Sequence, residues 1–501
     1  MVHRVASDVS KARIGVDVGG TFTDTFLELT DGHSLFDKRL TTTLSPDEAI
    51  LGGVRDLVAR AGLTPADVTG IVHGTTLATN AVIGRQGART ALVTTEGFRD
   101  VIEMGREDRY AQYDLDLRKP EPLVPRRLRF PVPERIAADG TVLLPLDRAA
   151  LISVAAQLRD AGSESAAICF LNSYVNPAHE REARDLLQDL LPGLPLTLSS
   201  EVAPVIREYE RFTTAAANAY VQPLVASYLK RLGARLEAEG FGCPRLLMLS
   251  SGTLCDFATG QRFPVRLIES GPAGGAIFAA GLARRHGIDA AMAFDLGGTT
   301  AKMTLIDAGA PQLTSTFEAA RMEKFVKGSG LPLKVPSVDL LEIGAGGGSV
   351  AWQDSLGRLR VGPEGTGSTP GPACYGRGGT RPTVTDANLL LGRVSPEAFA
   401  GGTVPLHPAL AAAAVATLGA AGDRATGPSA ILAAVDEAMA LAARLHAVEH
   451  GADPARRALI AFGGGGPLHA ASIAEAIGIG TVLVPPDAGV GSAVGFLWAD
   501  L

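Results

Sequence analysis

The sequence has 501 residues, of which 46% are apolar and 20% are charged, and its formal net charge is −7. This length exceeds one ordinary hydrophobic core, so we expect at least two domains. The mild charge, without a basic run, disfavours nucleic acid as a partner. No stretch reaches the length of a membrane-spanning helix and the N-terminal segment lacks the apolar core of a signal peptide, which disfavours a membrane and predicts a cytoplasmic protein. Four cysteines without a C-x-x-C pair favour a reducing compartment over a disulfide framework.

Predicted strands and helices alternate along the first part of the chain. Strand-like runs such as "RIGVDVGG", "GIVHGTT", "TALVTT" and "SAAICFL" alternate with helix-like runs, which predicts an α/β fold with a largely parallel sheet. A proline-rich segment at residues 118–136 is predicted to be an extended excursion. After a second break we expect a long amphipathic helix, or a pair of helices, that begins near "REYERFTT". We place the domain boundary near residue 195, which gives domains over residues 1–195 and 196–501.

One short pattern occurs twice. "GVDVGGTFTD" near the N-terminus and "FDLGGTTAK", 278 residues later, each end an apolar strand on an aspartate that is followed by two glycines and threonine. The two aspartates are Asp17 and Asp295. The spacing exceeds the periods of solenoid repeats, so it indicates two related domains rather than an array. Two similar domains that face each other would form a cleft.

The residue types in these turns suit a polyphosphate. Glycines let backbone N–H groups approach a ligand closely, and threonine hydroxyls add donors. Asp17 and Asp295 are candidate ligands of a hydrated Mg²⁺ ion, which prefers carboxylates, water and phosphate oxygens. Lys302 is a candidate partner for a terminal phosphate. The alternative interpretation is a pair of tight hairpin turns, for which Gly-Gly beside Asp is common.

Two further glycine clusters support a nucleotide site. "LIAFGGGGPLHAASIAEAIGIG" predicts a strand, four glycines and then a helix with proline in its first turn, so that phosphates or an adenosine would meet a helix N-terminus. "LLEIGAGGGSVAW" places Gly346 and Gly347 between two strand-like runs, as further cofactor-binding candidates. Each cluster has the alternative explanation of a loop that requires close packing.

Three other motifs carry weaker signals. "LHAVEHG" has the H-x-x-E-H spacing of some zinc peptidases, with His446 and His450 on one helix face, but no third ligand is evident, which favours a polar helix C-terminus. "REYER" favours a solvated, ion-paired helix face, with an interface or substrate role left open. Cys374 lies in a glycine-rich loop without an evident base, so we interpret it as a structural thiol.

The paired turns and the glycine-rich helix start resemble the nucleotide-binding superfold of actin, sugar kinases and Hsp70. More specifically, "HGTTLATNAV", "RTALVTTEGFRDVIEMGRE", "SGPAGGA", "IGAGGGS", "GPACYGRGGTRPTVTDANLLLGR" and "FGGGGPLHA" are similar, together with the turns, to the A subunit of the hydantoinase/oxoprolinase family. The similarity runs in order along essentially the whole chain. It implies an α/β fold of two actin-like, ribonuclease H-like domains that face a nucleotide cleft.

The resemblance also implies site residues. The first phosphate loop would contain Asp17, Gly19, Gly20, Thr21, Thr23 and Asp24. The second would contain Asp295, Gly297, Gly298, Thr299, Thr300 and Lys302. The adenosine loop would contain Gly463, Gly464, Gly465 and Gly466. A secondary, cleft-lining candidate is "HGTTLATNA" with His73, Thr75, Thr76 and Asn80, for which the alternative is a helix cap at Thr79 or Asn80.

The family implies a subunit that uses ATP and Mg²⁺ and acts in a hetero-oligomer with a B-type subunit. The carbonyl oxygen of a lactam or hydantoin is phosphorylated, which turns a poor electrophile into an activated imidate. Backbone N–H groups, Mg²⁺ and a lysine are the expected means of positioning and charge neutralisation. The candidate catalytic residues in this interpretation are Asp17, Asp295, Lys302 and His73.

Two alternatives are left open by the sequence. In one, the chain is the ATP-binding subunit of a ketone carboxylase, in which ATP activates bicarbonate or an enolate. In the other, which belongs to a different class, it is a nucleotide-dependent binding or assembly module without its own catalysis. Family members usually continue into a further C-terminal domain beyond "PPDAGVGSAVGFLWADL", where this sequence ends, so assembly with the B-type subunit is also left open.

Overall fold

The computed structural model describes residues 11–20, 22–41, 46–323, 326–419 and 427–501. Its helices are α1 (Pro46–Arg60), α2 (Leu77–Ile83), α3 (Val101–Met104), α4 (Arg148–Asp160), α5 (Ala178–Leu190), α6 (Ser199–Val202), α7 (Glu208–Ala238), α8 (Phe257–Arg262), α9 (Ser270–Arg285), α10 (Val384–Leu390), α11 (Pro408–Ala416), α12 (Gly427–Glu449), α13 (Gly466–Ile477) and α14 (Gly491–Trp498). Its strands are β1 (Ala12–Val18), β2 (Phe22–Leu29), β3 (Ser34–Leu40), β4 (Val68–Thr75), β5 (Thr90–Thr95), β6 (Arg129–Val132), β7 (Arg135–Ile136), β8 (Val142–Leu144), β9 (Ser165–Cys169), β10 (Leu196–Leu198), β11 (Arg245–Met248), β12 (Leu254–Asp256), β13 (Ala290–Leu296), β14 (Ala301–Asp307), β15 (Ala310–Pro311), β16 (Leu313–Thr314), β17 (Phe317–Ala319), β18 (Leu331–Leu333), β19 (Ser337–Val338), β20 (Leu341–Ile343), β21 (Ser349–Gln353), β22 (Leu359–Gly365), β23 (Ala458–Phe462) and β24 (Val482–Leu483).

The first sheet has six strands in the order β12-β11-β4-β1-β2-β3. β1, β2 and β3 pair antiparallel, whereas β4 runs parallel to β1. Ile14 and Val16 of β1 pack in a cluster with residues of α1 and α7, while Gly15, between them, faces α14. The apolar residues of β1 alternate with Arg13, Gly15 and Asp17, because successive side chains of a strand point to opposite faces of the sheet.

The second sheet repeats this arrangement. Its strand order is β15-β14-β13-β23-β24, and β20 also pairs with β14. β13 and β14 form an antiparallel hairpin, and β23 runs parallel to β13. β1, β2 and β4 of the first sheet therefore correspond to β13, β14 and β23 of the second. The predicted α/β fold with two similar domains is confirmed.

Two helices lie between the first and second sheets. One hydrophobic cluster joins Phe26 and Val72 of the first sheet to Phe462 of the second through side chains of α9 and α14. α14 lies so close to β1 that a Cβ on Gly15 would overlap the carbonyl oxygen of Ala493. Other clusters cover the outer face of the first sheet with α1 and α7, and the outer face of the second with α12 and α13. The two sheets are thus packed on opposite sides of one helix pair.

The third sheet is parallel, with the strand order β10-β9-β5-β6. The predicted extended excursion is partly wrong, because residues 129–132 form β6 at its edge, where a strand tolerates Pro131. β10 lies after residue 195 but pairs with β9, which lies before residue 195. β11, also after residue 195, joins the first sheet. The domain boundary at residue 195 stays a prediction.

The long predicted helix is one helix, α7, which continues through Pro223. Residues 210–221 are buried at every position, so this half of the helix is not amphipathic. The solvated face predicted for "REYER" is wrong, because Arg211 is fully buried and donates to two backbone carbonyls. Its neighbour Glu210 is also buried and forms an ion pair with Arg106.

Two expectations about the whole chain concern membranes and thiols. Within the described ranges, no helix combines the length and the apolar character that crossing a membrane requires.

The four cysteines are free thiols. Burial raises the pKa of Cys374, and its backbone N–H donates to Asp386 Oδ1 at 2.8 Å. These contacts agree with a structural thiol.

Candidate functional site

The two predicted turns form hairpins of the same design. In the first, the N–H of Gly19 donates to the carbonyl oxygen of Phe22 at 2.9 Å. In the second, Gly297 donates to Thr300 at 3.1 Å. A tight hairpin is therefore present in both copies. Thr21, a predicted member of the first phosphate loop, lies outside the described residues.

The side chains at the ends of the hairpin strands differ in charge. Asp17 lies opposite Asp24 across the first hairpin, and Asp295 lies opposite Lys302 across the second. Asp24 and Lys302 therefore occupy equivalent positions in the two domains. One hairpin carries two carboxylates, and the other carries a carboxylate and an ammonium group.

Asp17 interacts with charges of both hairpins. Its pKa is raised to about 7, first by burial and then by Asp24 and Asp295, against the opposing effect of Lys38 and Lys302. These interactions mean that the two hairpins face each other. Asp17 Oδ1 is buried and has no hydrogen-bond partner among the described residues. Buried polar atoms rarely lack a partner, so this oxygen marks a place for a cation or a hydrogen-bond donor.

Two other charges of this cluster, Asp24 and Lys302, have partners. Asp24 accepts hydrogen bonds from Lys38 at 2.7 and 2.8 Å, although burial raises the pKa of Asp24. Burial also raises the pKa of Asp295. Lys302 Nζ donates to Glu269 at 2.7 Å. Burial lowers the pKa of Lys302, but the negative charges of Glu269 and other carboxylates raise it by more than burial lowers it. The ammonium group of Lys302 is therefore charged at neutral pH.

The motifs of the sequence do not single out Glu269, although it holds Lys302. Glu269 precedes α9 with φ 61° and ψ 28°, a left-handed conformation that is unfavourable for a residue with a Cβ. Its N–H donates to Thr79 Oγ1 at 3.2 Å. A Cβ on Gly271, in the first turn of α9, would lie 3.1 Å from Asp17 Oδ1, so the helix N-terminus reaches the cluster. An acid directly before "SGPAGGA" is the signal that would have indicated Glu269.

The predicted adenosine loop, residues 463–466, lies beside the second hairpin. β23 ends at Phe462, in register with Asp295, and α13 begins at the last of the four glycines. Gly463 has a φ of 80°, and a Cβ there would overlap Asp295 Oδ1, so only glycine fits this approach. Gly464 is exposed. The loop therefore brings a second helix N-terminus to the cluster, an arrangement that suits an anion.

The loop at Gly346 and Gly347 packs against the second hairpin. The N–H of Gly347 donates to the carbonyl oxygen of Gly297 at 3.1 Å, and a Cβ on Gly346 would lie 2.6 Å from the carbonyl carbon of Thr299. The N–H of Gly346 donates to Ser349 Oγ at 2.9 Å. Close packing, the alternative interpretation, accounts for both glycines. Contact of this loop with a nucleotide stays a prediction.

The turns expose only some of the predicted ligand-binding residues. The exposed ones are Gly20, Gly297, Gly298 and Thr299. Thr23, in contrast, is fully buried, and its hydroxyl lies 3.0 Å from that of Thr41. Thr41 in turn donates to the carbonyl oxygen of Gly19 at 2.9 Å. Thr23 therefore supports the first turn from inside.

His73 lies apart from the charged cluster. It is opposite Val16 on β4, whereas the next residue, Gly74, is opposite Asp17, and side chains alternate between the two faces of a sheet. His73 is 1% exposed, and its Nδ1 and Nε2 lie 3.3 Å from the carbonyl oxygen of Val16 and 2.8 Å from the hydroxyl of Tyr228. Burial lowers the pKa of His73 to about 4. This is the environment of a core residue, and it does not support the predicted catalytic role.

The helix after β4 begins earlier than the predicted cap. α2 starts at Leu77, so Thr79 and Asn80 lie inside it, and a cap at either residue is wrong. Asn80 donates instead to Thr76 Oγ1 at 3.2 Å. Thr76 donates to the carbonyl oxygen of Val18 at 3.3 Å, which ties α2 to the end of β1.

The charged cluster fits Mg²⁺ and phosphate groups by its chemistry. A small cavity of about 10 Å³, lined by Asp295, Lys302 and Phe462 among others, has room for no more than one water or ion. In the described part of the chain, Asp17 and Asp295 do not join a third acid, histidine or cysteine in a close ligand cluster. Mg²⁺ keeps several waters and needs only one or two carboxylates, so the residues present are sufficient.

Two sheets of the same topology, with facing hairpins that each end a strand on aspartate, define a two-domain protein of the actin-like class. The sequence matches the model of the hydantoinase/oxoprolinase family over residues 211–501, and that of the N-terminal region of the same family over residues 13–191. The chain belongs to the hydantoinase/oxoprolinase family.

Three curated relatives span most of this chain. An uncharacterized protein of Methanocaldococcus jannaschii is 40% identical over 97% of this chain and 72% of its own length. The caprolactamase subunit alpha of Pseudomonas jessenii is 35% identical over 98% of this chain and 70% of its own. The acetophenone carboxylase gamma subunit of Aromatoleum aromaticum is 34% identical over 92% of this chain and 64% of its own. These relatives are all longer than the part that matches.

Two solved structures are similar to this one. A nucleotide-free acetone carboxylase aligns with a TM-score of 0.83 and 26% identity over 98% of this chain and 71% of its own. The ATP-dependent caprolactamase from Pseudomonas jessenii aligns with a TM-score of 0.82 and 34% identity over 97% of this chain and 70% of its own. Both alignments span both of the repeated domains.

Proposed function

We propose that this chain is the ATP-binding subunit of an ATP-dependent cyclic amidase that opens a hydantoin, 5-oxoproline or related lactam ring together with a B-type subunit. The observation that carries the proposal is the pair of facing hairpins, in which Asp17, Asp24, Asp295 and Lys302 act on one another electrostatically. The 35% identity to a caprolactamase subunit supports a cyclic amide as the substrate class.

Bound ATP and Mg²⁺ would supply the phosphoryl group and neutralise part of its charge. Asp17 and Asp295 would hold the hydrated cation, and the unpartnered Oδ1 of Asp17 is the free ligand atom for it. The exposed backbone of Gly20, Gly298 and Gly464 would lie along the phosphates, where glycine allows close approach.

Lys302 would neutralise charge that develops on the transferred phosphoryl group. Glu269 holds its Nζ at 2.7 Å and thereby limits the positions that the ammonium group can take. The amide oxygen would attack the γ-phosphorus as the bond to ADP breaks, and hydrolysis of the activated imidate would give the ring-opened product and inorganic phosphate. In this step the residues of the chain orient groups and stabilise charge, which is the main source of rate in phosphoryl transfer.

The proposal is tested with the full chain, its B-type partner, ATP and Mg²⁺, and a panel of hydantoins and lactams. We expect ADP and ring-opened product to form in equal amounts, and neither to form above background with the partner alone. Lys302→Ala should lower the rate of formation of both products by about 10²–10³-fold, whereas Lys230→Ala, an exposed position on α7, should leave it unchanged. Ring opening that proceeds equally well without ATP would contradict the proposal.

A ketone carboxylase is the second candidate, because of the similarity to an acetophenone carboxylase subunit and to an acetone carboxylase structure. It requires the same phosphate site but a different acceptor, bicarbonate or an enolate. Stimulation of ATP hydrolysis by bicarbonate plus acetone or acetophenone, with no response to lactams, would favour it. ATP hydrolysis that responds to neither type of carbonyl compound would favour a binding or assembly module.

A further inference from the structure

Three potential metal ligands meet at the C-terminal end of α12. The imidazoles of His446 and His450 and the carboxylate of Asp339, which follows β19, each offer a ligand atom, and these atoms all lie within 4.8 Å of one another. We propose that Asp339, His446 and His450 form a binding site for a divalent transition-metal ion of the Zn²⁺ type. The motif "LHAVEHG" contains no third ligand. Asp339, which is distant in sequence and follows β19, supplies it.

His450 is already oriented as a metal ligand. Its Nδ1–H donates to the backbone carbonyl oxygen of His446 at 2.8 Å, and its Nε2 is hydrogen-bonded to Asp339 Oδ2 at 2.6 Å, so a bound ion would replace the proton between these two atoms. In metal sites the ring nitrogen that does not bind the ion commonly donates to a backbone carbonyl, because this bond sets the tautomer and the ring orientation.

His446 provides an independent indication of a ligand. The residue is 4% exposed, and its Nε2 is buried without a hydrogen-bond partner among the described residues. A buried polar atom without a partner is unfavourable, so the atom is expected to have one in the working protein. The two imidazole rings lie 4.4 Å apart between centroids, and an ion between them would provide that partner.

Asp339 is held in place by its backbone. Its N–H donates to the carbonyl oxygen of Gln312 at 2.8 Å, and its own carbonyl oxygen accepts from Thr304 Oγ1 at 2.7 Å. The carboxylate is therefore fixed relative to β14, which carries both Thr304 and Lys302. Main-chain anchoring leaves the side-chain oxygens free of backbone partners, and the contact of Oδ2 with His450 Nε2 at 2.6 Å is one that a bound ion would replace.

Glu449 and Lys327 are the charged neighbours of the proposed site. Glu449, the acid of the H-x-x-E-H motif, accepts from Lys327 Nζ at 2.7 Å. The positive charge of Lys327 acts on both imidazoles, but its pairing with Glu449 partly offsets the repulsion of a cation. Because Glu449 is engaged in this ion pair, we assign three protein ligands to the site and leave a fourth position to water.

Two imidazoles and one carboxylate are ligands that suit Zn²⁺, Co²⁺ and Ni²⁺ better than Mg²⁺ or Ca²⁺. The two imidazoles lie on α12, which packs against the face of β14 formed by Met303 and Leu305, whereas Lys302 and Thr304 line the small cavity beside α9. A bound ion would join the end of α12 to β14 and stabilise the second domain.

The test uses the full chain, stripped with a chelator and then dialysed against one equivalent of Zn²⁺. We expect one Zn²⁺ per chain by elemental analysis, an increase in Tm, and visible absorption of the Co²⁺ form that indicates nitrogen and oxygen ligands. Asp339→Asn and His446→Leu should each lower the Zn²⁺ affinity at least about tenfold. His446→Leu also removes the unpartnered nitrogen, so the metal-free variant should unfold at a temperature no lower than the metal-free parent.

His33→Gln is the matched control, since His33 also lies near an acid, at 3.3 Å from Asp31, but is exposed. Its Zn²⁺ content and its Tm increase should equal those of the parent chain. Zn²⁺ bound in clearly less than one equivalent would overturn the proposal. So would equal Zn²⁺ affinity in the parent chain and in a folded Asp339→Asn or His446→Leu variant, with folding checked by circular dichroism.

Discussion

Asp17 combines features that oppose ionisation of a carboxyl group. Its Oδ1 is buried without a partner among the described residues, and Asp24 and Asp295 add like charge nearby. Burial and like charges both favour the protonated form. A divalent cation would remove both penalties, so proton and Mg²⁺ binding at this residue should compete.

The first prediction concerns the pH dependence of stability without Mg²⁺. The pKa of Asp17 is about 7 in the folded chain against 3.8 for an unperturbed aspartate, so the folded state binds this proton more tightly. Stability contributed by the protonated group is therefore lost as the pH rises from about 4 to about 7. Between about pH 5 and pH 8, the free energy of unfolding of the parent chain should fall by roughly 1–3 kcal/mol more than that of Asp17→Asn, measured by urea denaturation in EDTA.

Asp354→Asn is the control for this experiment. A backbone hydrogen bond from Arg358 is the main cause that lowers the pKa of Asp354 to about 2, so this group titrates below the chosen pH range. Its replacement should change stability equally at both pH values. An identical pH dependence in Asp17→Asn and the parent chain would contradict the raised pKa of Asp17.

The second prediction compares the two equivalent positions Lys302 and Asp24. Lys302→Ala should lower kcat for ATP hydrolysis by about 10²–10³-fold, because a charge that stabilises the transition state is removed. Asp24→Ala should instead raise the Mg²⁺ concentration needed for half-maximal rate, because it alters the surroundings of Asp17. Steady-state kinetics with varied Mg²⁺ separates the two effects. Negligible and equal effects of both substitutions would contradict different roles for the hairpins.

At the scale of elements, the position of the site depends on the contact between α9 and α14. The two helices approach so closely that a Cβ on Gly495 would overlap the carbonyl oxygen of Gly274, and a Cβ on Gly274 would overlap the ring of Phe496. Glycine at both positions lets the backbones touch. The contact brings the N-terminus of α9 to both hairpins, with Gly271 beside Asp17 and Glu269 bonded to Lys302.

The third prediction is that Gly495→Ala destabilises the chain by about 1–3 kcal/mol, since an added methyl group in a packed interface forces the helices apart. Gly480→Ala is the control, because a Cβ on Gly480 would meet nothing within 4 Å. Urea denaturation of both variants measures the difference. Equal stability of the two variants would show that the helix contact is looser than in this structure.

At the scale of the whole molecule, the two repeated domains share one pair of central helices. The first and second sheets pack on opposite sides of α9 and α14, so their hairpins are brought to the same cleft. A ligand that contacts both hairpins would therefore link the two domains. Its binding energy would add to the stability of the whole fold rather than to one domain.

The fourth prediction is that ATP with Mg²⁺ raises the Tm of the chain. At a ligand concentration about 100 times Kd, binding to the folded state alone contributes about 2.7 kcal/mol. Thermal unfolding with ATP and Mg²⁺, ATP and EDTA, and Mg²⁺ alone measures this effect. We expect a clear increase only in the first condition and a smaller one in Asp17→Asn. Equal Tm values in all three conditions would contradict a shared nucleotide site.

The sequence predicted those features that depend on residues close together in the chain. The repeated turns, the acid at the end of each strand, and the four glycines that lead into α13 are local patterns, and each lies where it was expected. Glu269 and Lys38 were not predicted, because their roles arise from contacts with Lys302 and Asp24 that local periodicity does not contain. The burial of Arg211 was missed for the same reason.

The sequence by itself determined the α/β class, the internal duplication and the chemistry of the two turns, since glycine, aspartate and lysine types at fixed spacing have local physical meaning. Only the tertiary structure decided which side chains share a face. It placed His73 on the opposite face of the sheet from Asp17, and it brought Asp339 to His450 across 111 positions of chain. Strand register and helix packing set these relations, and both depend on contacts between distant segments.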